Sequence, residues 1–86
     1  MKNIDVIKAF IYGEQAHTLN LMSSGDKLIN YSTCIAQRKD GQIYVTDTKF
    51  STTTSKIQNA LRRELLGINY KLGPQQRGRL ELVWVE

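Results

Sequence analysis

The residue pair Asp40-Gly41 constrains the fold of this chain more than any other feature of its sequence. Asp-Gly favours a type I′ turn, whose two central residues both have positive φ, and such a turn joins neighbouring antiparallel strands. The segments on both sides of the pair, 27–39 and 42–48, are typical of strands. The sequence therefore predicts a two-stranded hairpin over 27–48. Its predicted cross-strand pairs are Lys39–Gln42, Arg38–Ile43, Gln37–Tyr44, Ala36–Val45 and Ile35–Thr46.

This register divides the side chains of the hairpin between two faces of a sheet, one assigned to the core and one opposite to it. Tyr31 and Tyr44 fall on the opposite face, where aromatic rings can stack on unpaired bases. The alternative is that a helix or a strand covers this face, because Ile35 between the tyrosines is costly to leave in water. The predicted core face carries Cys34, Ala36, Ile43 and Val45, and the opposite face carries Tyr31, Thr33, Ile35, Gln37, Tyr44 and Thr46.

The main helix is predicted over 55–66. Ser55 and Gln58 have the spacing of a capping box, with Thr53 or Thr54 as alternative caps, and a glycine at 67 ends the helix. Glu64 lies beside the apolar stripe, and Leu66 points away from it. The apolar stripe is Ile57, Ala60, Leu61 and Leu65, and the opposite side carries Lys56, Asn59 and Arg63.

The rest of the chain is predicted from shorter patterns. A second helix is predicted over 4–11, capped by Asn3 and ended by Gly13, although the β-branched residues there also allow a strand. Short alternations predict strands at 17–22 and 68–72, with a turn at 23–26. We expect 73–78 to be an exposed loop and 79–85 to be a strand inside the sheet, because both of its faces are apolar.

The predicted fold class is therefore α+β. We expect a single domain over 1–86, with an antiparallel sheet of about four strands, one main helix and an N-terminal helix. The residues expected to be buried are Ile7, Phe10, Cys34, Ala36, Ile43, Val45, Ile57, Leu61, Leu65, Leu82 and Trp84.

Composition argues against an enzyme. The chain of 86 residues has one cysteine, Cys34, and one histidine, His17, so it predicts no internal disulfide, no zinc site and no metal. No nucleophile elbow or Gly-rich phosphate loop is present, and a buried cysteine with a surface histidine is the simpler explanation of that pair. We expect no catalytic residues and no cofactor. No apolar run is long enough for a membrane span, and Asp5 interrupts any signal peptide, so a cytoplasmic protein is expected.

Charge is distributed unevenly along the chain. The formal net charge is +4, and residues 1–47 contribute five basic and five acidic residues, whereas residues 48–79 contain seven basic residues and one acidic residue. Such polarity favours a polyanionic partner, and an ordinary solubilising surface is the alternative. Hydroxyls and cations near a helix start also suit phosphate binding, although serine and threonine begin helices for capping reasons alone. The predicted nucleic-acid-binding residues are Lys49, Ser55, Lys56, Asn59, Arg62, Arg63, Arg77 and Arg79.

Two short stretches carry a resemblance to a known family. Tyr31, Ser32, Thr33, Ile35 and Ala36 match a Y-[ST]-T-x-I-A strand, and Phe50, Ser51 and Thr53–Lys56 match a [YF]-S-x-T-T-S-K stretch that follows a second strand. This pattern resembles small uncharacterised proteins of bacteriophages and mobile elements of Gram-positive bacteria, over about a third of the chain. The resemblance implies a phage or mobile-element origin and no particular activity.

Two functions remain as hypotheses. The first is a small phage-type accessory protein that binds nucleic acid without enzymatic activity, through the basic helix start and loop, in the cytoplasm of the host cell. The alternative is a protein-binding inhibitor of a host or defence protein, similar in action to an anti-CRISPR protein, which occludes a surface of its target. Leu66 and the Tyr31/Tyr44 face are the candidate interface for this alternative. Leu66 is also predicted to support a homodimer.

Overall fold

A computed structural model describes residues 2–31, 33–46, 52–72, 75–76 and 82–83, the last two ranges by their backbone alone. Within these residues the chain is a small α+β domain with two helices and a six-stranded mixed sheet. The helices are α1 (Asn3–Ile11) and α2 (Thr52–Glu64). The main-sheet strands are β1 (Gln15–His17), β2 (Leu21–Ser24), β3 (Lys27–Asn30), β4 (Thr33–Lys39), β5 (Gln42–Val45) and β6 (Tyr70–Leu72). A separate pair consists of β7 (Gln75–Gln76) and β8 (Leu82–Val83).

The main sheet is a meander with one crossover. Strands β1 to β5 pair antiparallel in chain order, and β6 pairs parallel with β5. A parallel neighbour requires a long connection, which α2 provides. The α+β class predicted from the sequence is confirmed, but an antiparallel sheet of about four strands undercounts the strands and misses the parallel pair.

The Asp40-Gly41 turn is confirmed. Both residues have positive φ, 53° for Asp40 and 77° for Gly41, as a type I′ turn requires. The register on either side is the predicted one from Lys39–Gln42 to Ala36–Val45. Beyond the last pair, the Thr46 N–H donates to the Ile35 carbonyl at 3.2 Å.

The segment 27–39 is two strands instead of the predicted one. β3 ends at Asn30 and β4 begins at Thr33 directly opposite to it, so the chain reverses between these residues. Tyr31 lies in this turn with a φ of 57°. A positive φ costs a residue with a side chain about 1–2 kcal/mol, and tyrosine is not a residue that usually indicates a turn.

A β-bulge in β4 changes which residues face the core. Leu28 is opposite Ala36 and Ile29 is opposite Cys34, which leaves Ile35 as the extra residue on β4. Ile35 and Ala36 both join the main core, while Cys34 is buried with Ile29 in a separate small cluster. The prediction that Cys34 shares a face with Ala36, and that Ile35 lies opposite to them, is therefore wrong.

The main core lies between the sheet and the two helices. It contains residues of α1, of β2 to β5 and of α2 with the turn after it. Every predicted core residue whose side chain is described is buried; the side chain of Leu82 and all of Trp84 lie outside the described part of the chain. The buried main core is Val6, Ile7, Phe10, Leu21, Leu28, Ile35, Ala36, Ile43, Val45, Ile57, Leu61 and Leu65.

Of the predictions made from shorter patterns, the N-terminal helix is present and other elements differ from what was expected. The N-terminal helix is confirmed as α1, but its cap is Lys2, whose backbone N–H donates to the Asp5 carboxylate at 2.9 Å, instead of Asn3. The predicted strand at 17–22 is wrong because residues 18–20 form the turn between β1 and β2. Part of the predicted loop at 73–78 forms β7, which pairs with β8 in a small sheet against β4. The strand predicted inside the main sheet therefore has its described residues, Leu82–Val83, in this separate sheet.

Arg38 joins three parts of the fold. Its guanidinium donates to the carbonyls of Phe10 and Ile11, both at 2.8 Å, and to the carbonyl of Gly25 at 2.6 Å. The same group lies 5.2 Å from the centroid of the Phe10 ring. The last carbonyls of a helix lack partners within the helix. From β4, Arg38 donates to two of these carbonyls in α1, of which Phe10 also accepts the Gly13 N–H at 3.0 Å, and through Gly25 it holds the β2–β3 turn.

Candidate nucleic-acid interface

The run of hydroxyls at the start of α2 is partly turned inward. The helix begins at Thr52, so Ser55 lies in its first turn. The prediction that Ser55 caps the helix is therefore wrong. Thr54 is buried, and its hydroxyl donates to the side-chain oxygen of Asn30 at 2.7 Å. Gln58 is also buried, and its amide donates to the carbonyl of Thr46 at 3.1 Å. Thr54 and Gln58 therefore hold α2 to the sheet and do not face a ligand.

A chain of hydrogen bonds brings the beginnings of both helices to one end of the sheet. The buried amide of Asn30 donates to the carbonyl of Asn20 at 2.7 Å, and the Tyr31 N–H donates to the same carbonyl at 2.9 Å. In the same turn as Asn20, the Thr18 hydroxyl donates to the side-chain oxygen of Asn3 at 2.7 Å. We call this region the helix-start end: the first turns of α1 and α2, the β1–β2 turn and the β3–β4 turn.

The solvent side of α2 carries cations. Lys56, Asn59 and Arg63 are exposed and follow one another at helical spacing. Arg62 is half-buried beside them and donates to the Asn59 side-chain oxygen at 2.5 Å. Glu64, the acidic residue of α2, lies on the flank next to the apolar stripe. We call Lys56, Asn59, Arg62 and Arg63 the basic face of α2; it extends for about 10 Å along the helix axis.

The structure places five of the eight predicted binding residues, and all five belong to α2. Ser55 is half-buried in the first turn, and the other four form the basic face of α2. Lys49, Arg77 and Arg79 lie outside the described residues. The predicted patch combines the helix with a neighbouring loop. The structure describes the helix part of it, and the loop part lies outside the described residues.

The two tyrosines predicted to share a sheet face are apart. Tyr31 is 68% exposed and lies in the β3–β4 turn, at the helix-start end. Tyr44 is half-buried in β5, between its strand neighbours Gln37 and Lys71. Gln37 and Thr33 are opposite Lys27 and Asn30, which are three residues apart on β3, or about 10 Å in a strand. Tyr31 thus lies near the start of α2 and not beside Tyr44.

Three residues of this end were not predicted to act there, although the sequence contains a signal for two of them. Thr54 precedes Ile57, Leu61 and Leu65 at the same helical spacing, so extending the apolar stripe by one turn places it inward. Asn30 follows Leu28 at the strand period of two, which assigns it to the core face. The third residue, Leu19, is fully exposed beside Asn20, and no pattern in the sequence predicted that exposure.

The structure also describes the positions of His17 and Cys34. His17 is exposed on β1 and Cys34 is buried on β4, with two strands between them, so their backbones are about 14 Å apart. Among the described residues no three histidine, cysteine, aspartate or glutamate side chains come together as a metal site. Neither described helix is long and apolar enough to cross a membrane.

Comparison of the chain with protein-family models, with curated proteins and with solved structures gives no match.

Proposed function

We propose that this chain is a small phage-type accessory protein that binds nucleic acid without enzymatic activity. The observation that carries the proposal is the basic face of α2, where two exposed cations and a half-buried arginine follow one another along one helix. The uneven charge of the chain supports it, because the surplus of basic residues lies in 48–79. A surface of this kind attracts a polyanion over long distances.

The basic face has the chemistry of a phosphate-binding surface. Lys56 and Arg63 have side chains free to reach phosphate oxygens, and Asn59 orients Arg62 through a hydrogen bond. Lys56 also lies close to the N-terminus of α2, where the helix dipole favours anions. Contacts with phosphates fix the position of the protein on nucleic acid without reading its sequence. We therefore expect binding that depends on salt and not on sequence.

Charge reversal on the basic face tests the proposal. Lys56→Glu and Arg63→Glu should each weaken binding to every sequence alike, as measured by fluorescence anisotropy. Lys8→Glu on the exposed side of α1 is the matched control, because it changes net charge equally at another surface. The logarithm of the binding constant should fall linearly with the logarithm of salt concentration, by about 0.7–0.9 per phosphate contacted. Binding that is absent at low salt, or that does not change with salt, would contradict the proposal.

A second candidate function has its own observation. Leu66 follows α2 and is 79% exposed. Ile68, which precedes the edge strand β6, and Leu72, its last residue, are exposed as well. Exposed apolar residues beside a sheet edge suit a protein interface, so inhibition of a host or defence protein is the alternative. A pull-down from nuclease-treated host lysate separates the two functions. A specific partner that is retained by the native chain and lost with Leu66→Lys supports inhibition, and loss of every partner after nuclease treatment supports nucleic-acid binding.

A further inference from the structure

Tyr31 presents an aromatic ring to solvent from a fixed backbone. Its N–H bonds to the Asn20 carbonyl, and the preceding residue, Asn30, is buried with both ends of its amide bonded. The chain that enters the turn is therefore held by the Asn20 carbonyl and by the first turn of α2. Tyrosine has only two rotatable side-chain bonds, so a ring held in this way loses little freedom when another flat group packs against it.

The ring lies at the same end of the molecule as the start of the basic face of α2. The hydrogen bond from Thr54 to Asn30 joins the residue before Tyr31 to the first turn of α2. Lys56 follows Thr54 by two residues and is on the solvent side of the helix. Tyr31 and Thr54, which are distant in the sequence, thus both lie at the helix-start end.

We infer that the nucleic acid bound by this protein is single-stranded, with a base stacked on Tyr31 and its backbone along the basic face of α2. This inference rests on the proposed function. In a duplex the flat faces of the bases are covered by neighbouring base pairs, whereas an unpaired base offers a free face to an aromatic ring. The charge of the strand complements Lys56 and Arg63. An aromatic ring beside a basic surface suits a single strand better than a duplex.

The first experiment compares strand types. Anisotropy titrations with poly(dT), poly(U) and a duplex of the same length should give tighter binding to both single strands than to the duplex. The salt dependence should correspond to about 0.7 per phosphate, the value for single strands, instead of about 0.9 for B-DNA. Equal affinity for the duplex and the single strands would overturn the inference and leave the proposed function standing. No binding to any of the three would overturn both.

The second experiment removes the ring. Tyr31→Ala should weaken binding to single strands by about 5- to 150-fold, which corresponds to the ~1–3 kcal/mol of one base stacked on an aromatic ring. Tyr31→Phe should bind like the native chain because it keeps the ring. Tyr12→Ala is the control, since Tyr12 is 77% exposed but lies at the far end of α1. Duplex binding should not change in any of these variants.

A further variant separates loss of the ring from loss of the fold. Tyr31→Gly removes the ring and accepts the positive φ without strain, so it should fold at least as well as the native chain and still lose single-strand affinity. If Tyr31→Gly and Tyr31→Ala bind poly(dT) as tightly as Tyr12→Ala does, the ring is not a stacking site. If the Tyr31 variants instead lose a protein partner and keep nucleic acid, the turn is a protein contact and the inference is wrong.

Discussion

Arg38 is a charged residue whose side chain binds the backbone of its own chain. Its guanidinium donates to the last carbonyls of α1 and to the β2–β3 turn, and it lies over the Phe10 ring. Hydrogen bonds to a charged donor are stronger than neutral ones. In composition this arginine counts with the basic residues, but in the structure its guanidinium faces carbonyls of its own chain.

Replacement of Arg38 should therefore affect stability. We expect Arg38→Met to lower the free energy of unfolding by about 1.5–3 kcal/mol, because the Ile11 and Gly25 carbonyls lose a charged donor, whereas the Phe10 carbonyl keeps the Gly13 N–H. Arg38→Lys should recover only part of this loss, since one ammonium group cannot reproduce the forked geometry of a guanidinium. Urea denaturation measures the difference. Lys39→Met, on an exposed neighbour, should stay within about 0.5 kcal/mol of the native chain; the same small effect for Arg38→Met would contradict the assignment.

At the scale of elements, α2 is attached to the sheet by an apolar stripe and by two buried polar side chains. Leu61 lies at the centre of that stripe and is fully buried. Leu61→Ala should lower the free energy of unfolding by about 2–5 kcal/mol, a large part of the stability of a domain of this size. Thermal and chemical denaturation measure it, with Lys56→Ala on the opposite side of α2 as the control. A Leu61→Ala variant that melts like the native chain would show that this side of α2 is misassigned.

Elements specified by local chemistry could be predicted from the sequence. The Asp40-Gly41 turn depends on the backbone freedom of two adjacent residues, so the turn and the register next to it follow from the sequence. The stripe of α2 depends on a period that can be counted. The same period predicted that Lys56, Asn59 and Arg63 lie opposite the stripe and face solvent, and all three are exposed.

Elements specified by contacts distant in the sequence could not be predicted in this way. The turn at Tyr31 is held by Asn20 and by the burial of Asn30, neither of which changes the local pattern. The bulge at Ile35 appears only once β3 and β4 are paired. The parallel placement of β6 depends on the path of α2 across the sheet. For the same reason Tyr31 was assigned to a strand face with Tyr44 instead of to the helix-start end.

At the scale of the whole molecule, the exposed apolar residues after α2 bear on association. Leu66, Ile68 and Leu72 lie near the edge strand β6, and a two-fold interface between two copies would bury them. We expect the native chain to sediment as a dimer at high concentration and Leu66→Lys to sediment as a monomer. Leu19→Lys, a similar change in the β1–β2 turn, is the control. A native chain that stays at 9.8 kDa over the whole concentration range would exclude this dimer.

The bulge in β4 has a consequence for how the length of this chain can change during evolution. Ile35 is the extra residue of the bulge, so its deletion would return β4 to regular alternation with Cys34 and Ala36 still on opposite faces. The hairpin at Asp40-Gly41 and the turn at Tyr31 would both keep their paired residues, and the losses would be one buried side chain and the Ile35 carbonyl that accepts the Thr46 N–H. A deletion elsewhere in β4 would reverse the faces of the residues on one side of it. We therefore expect relatives that are shorter by one residue in β4 to lack the residue at this position.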